Sequence, residues 1–238
     1  VGKPQGNTIK EGQRSRRWYL LSRVLCATIY TPAYGYDLNL WRQYIDAQSR
    51  KPDAVHVQTE PDDPNRYWDE NVSIAREICR QKAIKDGYDY LWFVDTDVLV
   101  PPDGLEELIK LDKDIVAGKY CHKEDGTPFF WKTEYVPPEK REEAKNRYGK
   151  PTIIEEWVYM GNQPAQIHKA GTGCMLIKRK VFQKVGFPKK VPQPWTEDII
   201  FCIAAMTEGF EIWAHPGVLC QHIGASNPPQ KLARVGKK

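Results

Sequence analysis

The 238-residue chain contains no run of 18 apolar residues, so nothing in it reads as a transmembrane helix. Its first 17 residues, VGKPQGNTIKEGQRSRR, lack the apolar stretch of a secretory leader, and the expected location is cytoplasmic. The chain opens on Val1 rather than Met, as a cropped sequence would. With no secretion signal, the sequon Asn71-Val72-Ser73 reads as chance. None of the 6 cysteines is spaced C-x-x-C, which argues against a zinc ribbon or a dithiol redox motif. No G-x-x-x-x-G-K-[ST] occurs, which excludes a Walker-type phosphate loop. Internal repeats and low-complexity tracts are also missing, which excludes solenoid and disordered classes.

What is present is ordinary globular composition, with 41% apolar and 28% charged residues. The formal net charge is +4. Residues 1–17 and 228–238 carry +4 each, so the body, 18–227, carries −4. A nucleic-acid face would place the basic bias on folded elements, so no nucleic-acid partner is expected. The basic ends would suit an acidic membrane surface or a phosphate, with solvated tails the simpler expectation. Most cysteines lie in apolar stretches and read as core thiols.

Short apolar runs alternate with helical patterns, the signature of an α/β domain with a mostly parallel sheet. Strands are predicted at Val24–Tyr30, Ala54–Thr59, Tyr90–Val94, Ile115–Tyr120, Gly173–Ile177 and Val218–His222. Helices are predicted over Leu38–Gln48, capped by Asp37, and over 71–85, with Val72, Ala75, Ile78 and Cys79 on one face. Another follows Asp103, with Leu105, Leu108 and Ile109. A fourth begins at Thr196 with Ile199, Cys202, Ile203 and Met206 inward. Residues 121–168 break the rhythm, show no clean period beyond a charged helical stretch at 138–147, and read as an excursion from one domain (18–120, then 169–227).

The sharpest chemical signal is Leu91-Trp92-Phe93-Val94 running into Asp95-Thr96-Asp97. In open parallel sheets, ligands bind beyond the carboxyl ends of strands. Two carboxylates two residues apart on an extended segment face the same way and repel unless a cation lies between them. Hard oxygens suit Mg²⁺ or Mn²⁺, which would hold a diphosphate and stabilise its departing charge. A bare D-x-D is common, and a solvated strand end is the plain alternative. Trp195-Thr196-Glu197-Asp198 opens an apolar helix. Acidic residues there are favoured by the helix dipole alone, or one of them is a general base. His222 ends an apolar strand and can join Asp97 on a metal, which tilts the choice to Mn²⁺. Gly171-Thr172-Gly173 lets backbone approach a ligand closely.

In this order the motifs resemble a GT-A-fold (Rossmann-like) glycosyltransferase, close to the family 2-like enzymes that use nucleotide-diphospho-sugars. The matching strings are IYTP, VQTE, Ala75-Arg76, FVDTD, AGTGCMLIKRKVF, TEDIIFCIAAMTEGFEIW and CQHIG. The resemblance implies a nucleotide-sugar donor held by Thr31, Pro32, Glu60 (or Asp62), Arg76, Asp95 and Thr96. It implies Mn²⁺ or Mg²⁺ on Asp95, Asp97 and His222, and an acceptor pocket lined by Gly171, Thr172, Gly173 and Trp195. The acceptor would be a hydroxyl of a glycan, a lipid-linked group or a small molecule. Asp198, with Glu197 beside it, matches the acidic pair that supplies the base in inverting members. Lys231, with Arg234, would close over the diphosphate as part of a lid. The second strand ends in Thr-Glu-Pro-Asp-Asp rather than the family's Asp-rich turn with Gly and Ser.

Two rivals have different chemistry. FVDTDVLV also resembles the nucleophile motif of haloacid-dehalogenase-type phosphatases, with Asp95 phosphorylated and Asp97 as acid/base. That motif normally opens its fold, whereas two strand–helix units precede it here. A sugar- or nucleotide-binding module without catalysis is the other, and donor turnover separates it from an enzyme.

Overall fold

The computed structural model describes residues 21–61, 63, 66–135, 153–192 and 194–224. Both basic ends, Asp62, the 138–147 stretch, Tyr148 and Lys231 lie outside the described residues.

The chain alternates as its apolar runs require. Strand β1 (Val24–Tyr30) leads through a 3₁₀ turn, Pro32–Tyr34, to α1 (Leu38–Asp46). Asp37 caps α1 as expected, its Oδ1 accepting the N–H groups of Asn39 (2.8 Å) and Leu40 (3.2 Å). Then come β2 (Ala54–Thr59), α2 (Trp68–Lys85), β3 (Tyr90–Val94), the short β4 (Val98–Leu99), α3 (Gly104–Lys110) and β5 (Ile115–Lys119). Next are β6 (Phe130–Tyr135), β7 (Ile153–Val158), β8 (Ala165–Ile167) and β9 (Lys169–Ala170). The chain continues with β10 (Cys174–Lys178), α4 (Arg179–Lys184), α5 (Glu197–Thr207), β11 (Ile212–Leu219) and β12 (Gln221–His222).

The central sheet has seven strands in the order β2-β1-β3-β10-β5-β11-β8. Strands β2, β1, β3, β5 and β11 run one way, while β10 and β8 run against them. Alternate residues feed opposite faces. Leu91 and Phe93 join Leu25, Ala27, Met175 and Ile177 under α2, α4 and α5. Trp92 and Val94 join Val24, Cys26, Cys174 and Leu176 under α1 and α3. Phe187 meets Phe93 edge-on at 5.5 Å and stacks on Phe201 at 4.5 Å, which ties α5 to the sheet. The result is an α/β, Rossmann-like domain, as the alternation predicts. Among the described residues, no helix is long and apolar enough to cross a membrane.

Several expectations change. The segment 121–168 is not structureless: β6 and β7 pair antiparallel, β9 joins β6, and β8 adds to the central sheet. Its strands carry Lys, Glu and Thr beside aromatics, which hides their alternation. The last strand begins at Ile212, not Val218, and takes in Pro216 and Gly217 at an irregularity between His215 and Leu219. Such a bulge is where a strand tolerates proline. His222 lies on the separate β12, paired with β4. On α2, Ile78 is exposed while Val72, Ala75, Cys79 and Ala83 are buried. On α5 the buried face is Phe201, Cys202 and Ala205, one step round from Ile199, Ile203 and Met206. The cysteines are free thiols, buried except for the half-buried Cys121.

Candidate functional site

The carboxyl ends of β1, β2 and β3 deliver Thr31, Glu60 and Asp95 to one edge of the sheet. Thr31 Oγ1 donates to Glu60 Oε2 at 2.5 Å, so the residues expected to hold a nucleotide are brought together. Pro32 opens the 3₁₀ turn that follows, and Gly35 ends it at φ 61°, a left-handed conformation that glycine adopts without strain.

At the end of β3, the Asp95 N–H donates to the Gly173 carbonyl (3.0 Å), and its carboxylate accepts from Arg76 Nη2 (3.0 Å). Arg76 is buried and its Nε donates to Glu197 Oε1 at 2.9 Å. The guanidinium also lies 5.1 Å from the Phe93 ring centre. One arginine therefore joins the end of β3 to the start of α5. Burial works against its charge, but Asp95 and Glu197 outweigh it and hold Arg76 protonated more firmly than usual.

Glu197 and Asp198 have different surroundings. Glu197 is buried against Arg76; burial together with neighbouring Asp198 pushes its carboxyl above the ordinary glutamate range, and the Arg76 charge and hydrogen bond pull against that rise. Asp198 is less buried. Its Oδ1 accepts from the Thr196 hydroxyl and from the Ile199 N–H (2.7 Å), which leaves Oδ2 to take a proton. Burial raises the Asp198 carboxyl as well, against the pull of Thr196 and Arg76. Thr196 stands at the N-cap but its hydroxyl bonds Asp198 rather than a helix N–H.

Asp97, two residues on from Asp95, has different partners. Its Oδ2 accepts from Lys123 Nζ (2.9 Å) and faces His222 Nε2 (3.1 Å). Burial pushes its carboxyl up, but His222 and then Lys123 prevail and hold it at about 2. His222 Nδ1 lies 2.7 Å from the Cys121 carbonyl, which can only accept, so Nδ1 carries a proton. Nε2 then donates to Asp97 when the ring is charged, or offers its lone pair to a cation shared with Asp97 when it is neutral. That orientation fits a divalent cation on Asp97 and His222. Asp95 Oδ1 is engaged by Arg76 instead. Among the described residues, no three or more His, Cys, Asp or Glu side chains form a metal-holding group.

Thr96 is buried between the two aspartates. Gly171 and Gly173 are buried and make room for Tyr120. A Cβ on Gly173 would stand 2.6 Å from Tyr120 Cζ, and one on Gly171 would strike the Tyr120 hydroxyl. The Gly173 N–H donates to that hydroxyl at 3.0 Å. Gly173→Ala should therefore cost about 1–3 kcal/mol of stability, read by urea unfolding, because the buried ring has nowhere to turn. A loss within 0.5 kcal/mol, about the scatter of a surface change, would show that the ring yields. Thr172 is also buried. Trp195 is half-buried, and the buried Lys169 ammonium lies 4.8 Å from its ring centre.

Sequence reasoning passed over Lys123, Tyr36 and Lys169. Lys123 had one signal: it is a basic residue shortly after the carboxyl end of a strand, β5, that runs parallel to β3 with β10 between them. Lys169 and Tyr36 had none beyond residue type.

Comparison with solved structures returns this fold. One match is the crystal structure of A197 from STIV, with a TM-score of 0.54 and 17% identity. It covers 84% of this chain and 85% of that one. At that identity the likeness bears on the fold alone. No family model and no curated protein matches the sequence.

Proposed function

We propose that the protein is a cation-dependent glycosyltransferase that moves a sugar from a nucleotide-diphospho-sugar to a hydroxyl acceptor, with inversion. The observation that carries this is the chain Glu197–Arg76–Asp95, which fixes the start of α5, and with it Asp198, against the D-x-D end of β3. Thr31 and Glu60 at the neighbouring strand ends suit the nucleotide. Asp97 and His222 would hold Mn²⁺ or Mg²⁺, which when bound supplies positive charge to the departing diphosphate.

The chain's own groups divide the remaining work. Asp198 Oδ2 takes the proton of the acceptor hydroxyl as that oxygen bonds to the anomeric carbon. The bond from that carbon to the diphosphate oxygen breaks, and its electron pair leaves on the phosphate. Arg76 keeps Asp95 in place. Glu197 positions Arg76. Trp195 lines the acceptor side.

The test is release of nucleoside diphosphate from UDP-glucose, UDP-N-acetylglucosamine and GDP-mannose with Mn²⁺. One donor should be turned over by the wild type and not by Asp97→Asn. Binding without turnover of any donor would favour the non-catalytic module. Hydrolysis of p-nitrophenyl phosphate, lost in Asp95→Asn, would favour the phosphatase.

A further inference from the structure

The D-x-D edge already holds a cation, and it comes from the protein. Lys123 Nζ sits 2.9 Å from Asp97 Oδ2, the same oxygen that faces His222 Nε2 at 3.1 Å. The ammonium is also 3.3 Å from the Tyr36 hydroxyl and 5.3 Å from that ring's centre. Asp97 and Tyr36 together keep Lys123 protonated against the effect of its burial.

The turn that carries Lys123 is held by hydrogen bonds of its own, whereas the side chain is held at its tip. The His122 N–H donates to the Thr127 carbonyl (2.8 Å), the Gly126 N–H to the His122 carbonyl (3.1 Å), and the Thr127 N–H to Asp125 Oδ1 (2.8 Å). Gly126 takes φ 72°. The lysine side chain is 30% exposed, on a four-carbon stem free to swing.

Resting on the cation-binding reading above, we propose that Lys123 is a built-in competitor for the divalent-cation site at Asp97, and that its displaced ammonium then binds the diphosphate of the donor. An oxygen that accepts from an ammonium cannot also ligate a divalent ion without bringing two positive charges together. Cation entry therefore expels Lys123. The expelled ammonium remains within a side chain's length of Asp97, where a diphosphate offers it new acceptors. Lys123 opposes the cation alone and assists the cation with the anion, so the two ligands bind with positive coupling. Empty, the site keeps Asp97 neutralised by Lys123.

The experiment is calorimetric titration of Mn²⁺ alone into wild type, Lys123→Met, Lys123→Gln and Lys123→Arg, each with and without Asp97→Asn. The two neutral variants should bind Mn²⁺ roughly tenfold or more tightly than wild type, since they lose a charge-assisted hydrogen bond that the metal must break. Lys123→Arg should stay near wild type, and Asp97→Asn should remove the site in every background. With Mn²⁺ saturating, UDP or GDP should bind the neutral variants more weakly than wild type. Unchanged or weaker Mn²⁺ binding in both neutral variants, with Asp97→Asn still abolishing it, would overturn the competitor role and leave the transferase site standing. Mn²⁺ binding indifferent to Asp97→Asn, or absent from every variant, would overturn both.

Discussion

Arg76→Met should lower the unfolding free energy by about 3–5 kcal/mol, the cost of leaving a buried partner charge uncompensated. Arg76 is only 4% exposed and holds Glu197 on one side and Asp95 on the other. Methionine fills much of the volume and keeps contact with Phe93, so packing is a small part of the loss. The greater part is electrostatic: Glu197 is left in a buried position beside Asp198 with no counter-charge. Its recourse is to bind a proton, and the double variant Arg76→Met/Glu197→Gln should recover a large share of the loss. Non-additivity of that kind is the mark of residues in one network. Urea unfolding of the two single variants and the double provides the cycle. Equal, additive losses would mean that Arg76 acts through packing alone.

Asp198→Asn should reduce kcat about 100- to 10,000-fold while leaving nucleotide affinity within about twofold, the pattern of a lost general base. Asparagine Oδ1 can still accept from Thr196 and Ile199, so the start of α5 stays intact. What disappears is the carboxylate that takes the proton. The pH profile adds an independent reading. Burial raises the Asp198 carboxyl, and nearby Asp95 raises it further, while Thr196, Arg76 and the Ile199 N–H pull it down. The base acts when ionised, so kcat/KM should climb as pH rises through a midpoint above the ordinary aspartate value. The residual activity of Asp198→Asn should lack that limb. A variant with wild-type kcat, or with the same acid limb, would assign the base elsewhere.

The fold was legible where one side chain in two had to be apolar. The runs at 24–30, 54–59 and 90–94 became β1, β2 and β3 with the boundaries read from sequence: β1 and β3 are buried on both faces, which leaves little choice of residue, and β2 is a half-exposed edge strand. The D-x-D was legible because polar groups directly after such a run have to emerge at the sheet's edge. Thr31 and Glu60 were named from the family resemblance, and their hydrogen bond became visible only with the parallel pairing of β1 and β2.

What escaped notice depended on contacts between distant segments. Arg76 and Glu197 are 121 residues apart, and nothing in either local string shows that they share a bond. The Gly171–Gly173 pair reads as a ligand approach, yet its space is largely taken by Tyr120 from the end of β5. Strands β6 and β7 were hidden because their sequences mix Lys, Glu and Thr with aromatics and show no clean alternation, and β11 because Pro216 and Gly217 look like a terminus when they form a bulge. Lys123 was the most consequential omission. A lysine in a surface turn is ordinary until the fold sets it on Asp97.

The most direct test is thermal unfolding with UDP and with GDP, each with and without Mn²⁺, on wild type and Asp97→Asn. A ligand at 100-fold its Kd stabilises by about 2.7 kcal/mol. For a chain of this size, each kcal/mol is worth about 2–4 °C in Tm. The expected result is a rise of several degrees with one nucleotide, dependent on Mn²⁺ and absent in Asp97→Asn. No rise with either nucleotide, or an equal rise in Asp97→Asn, would contradict a nucleotide-sugar site at the end of β3.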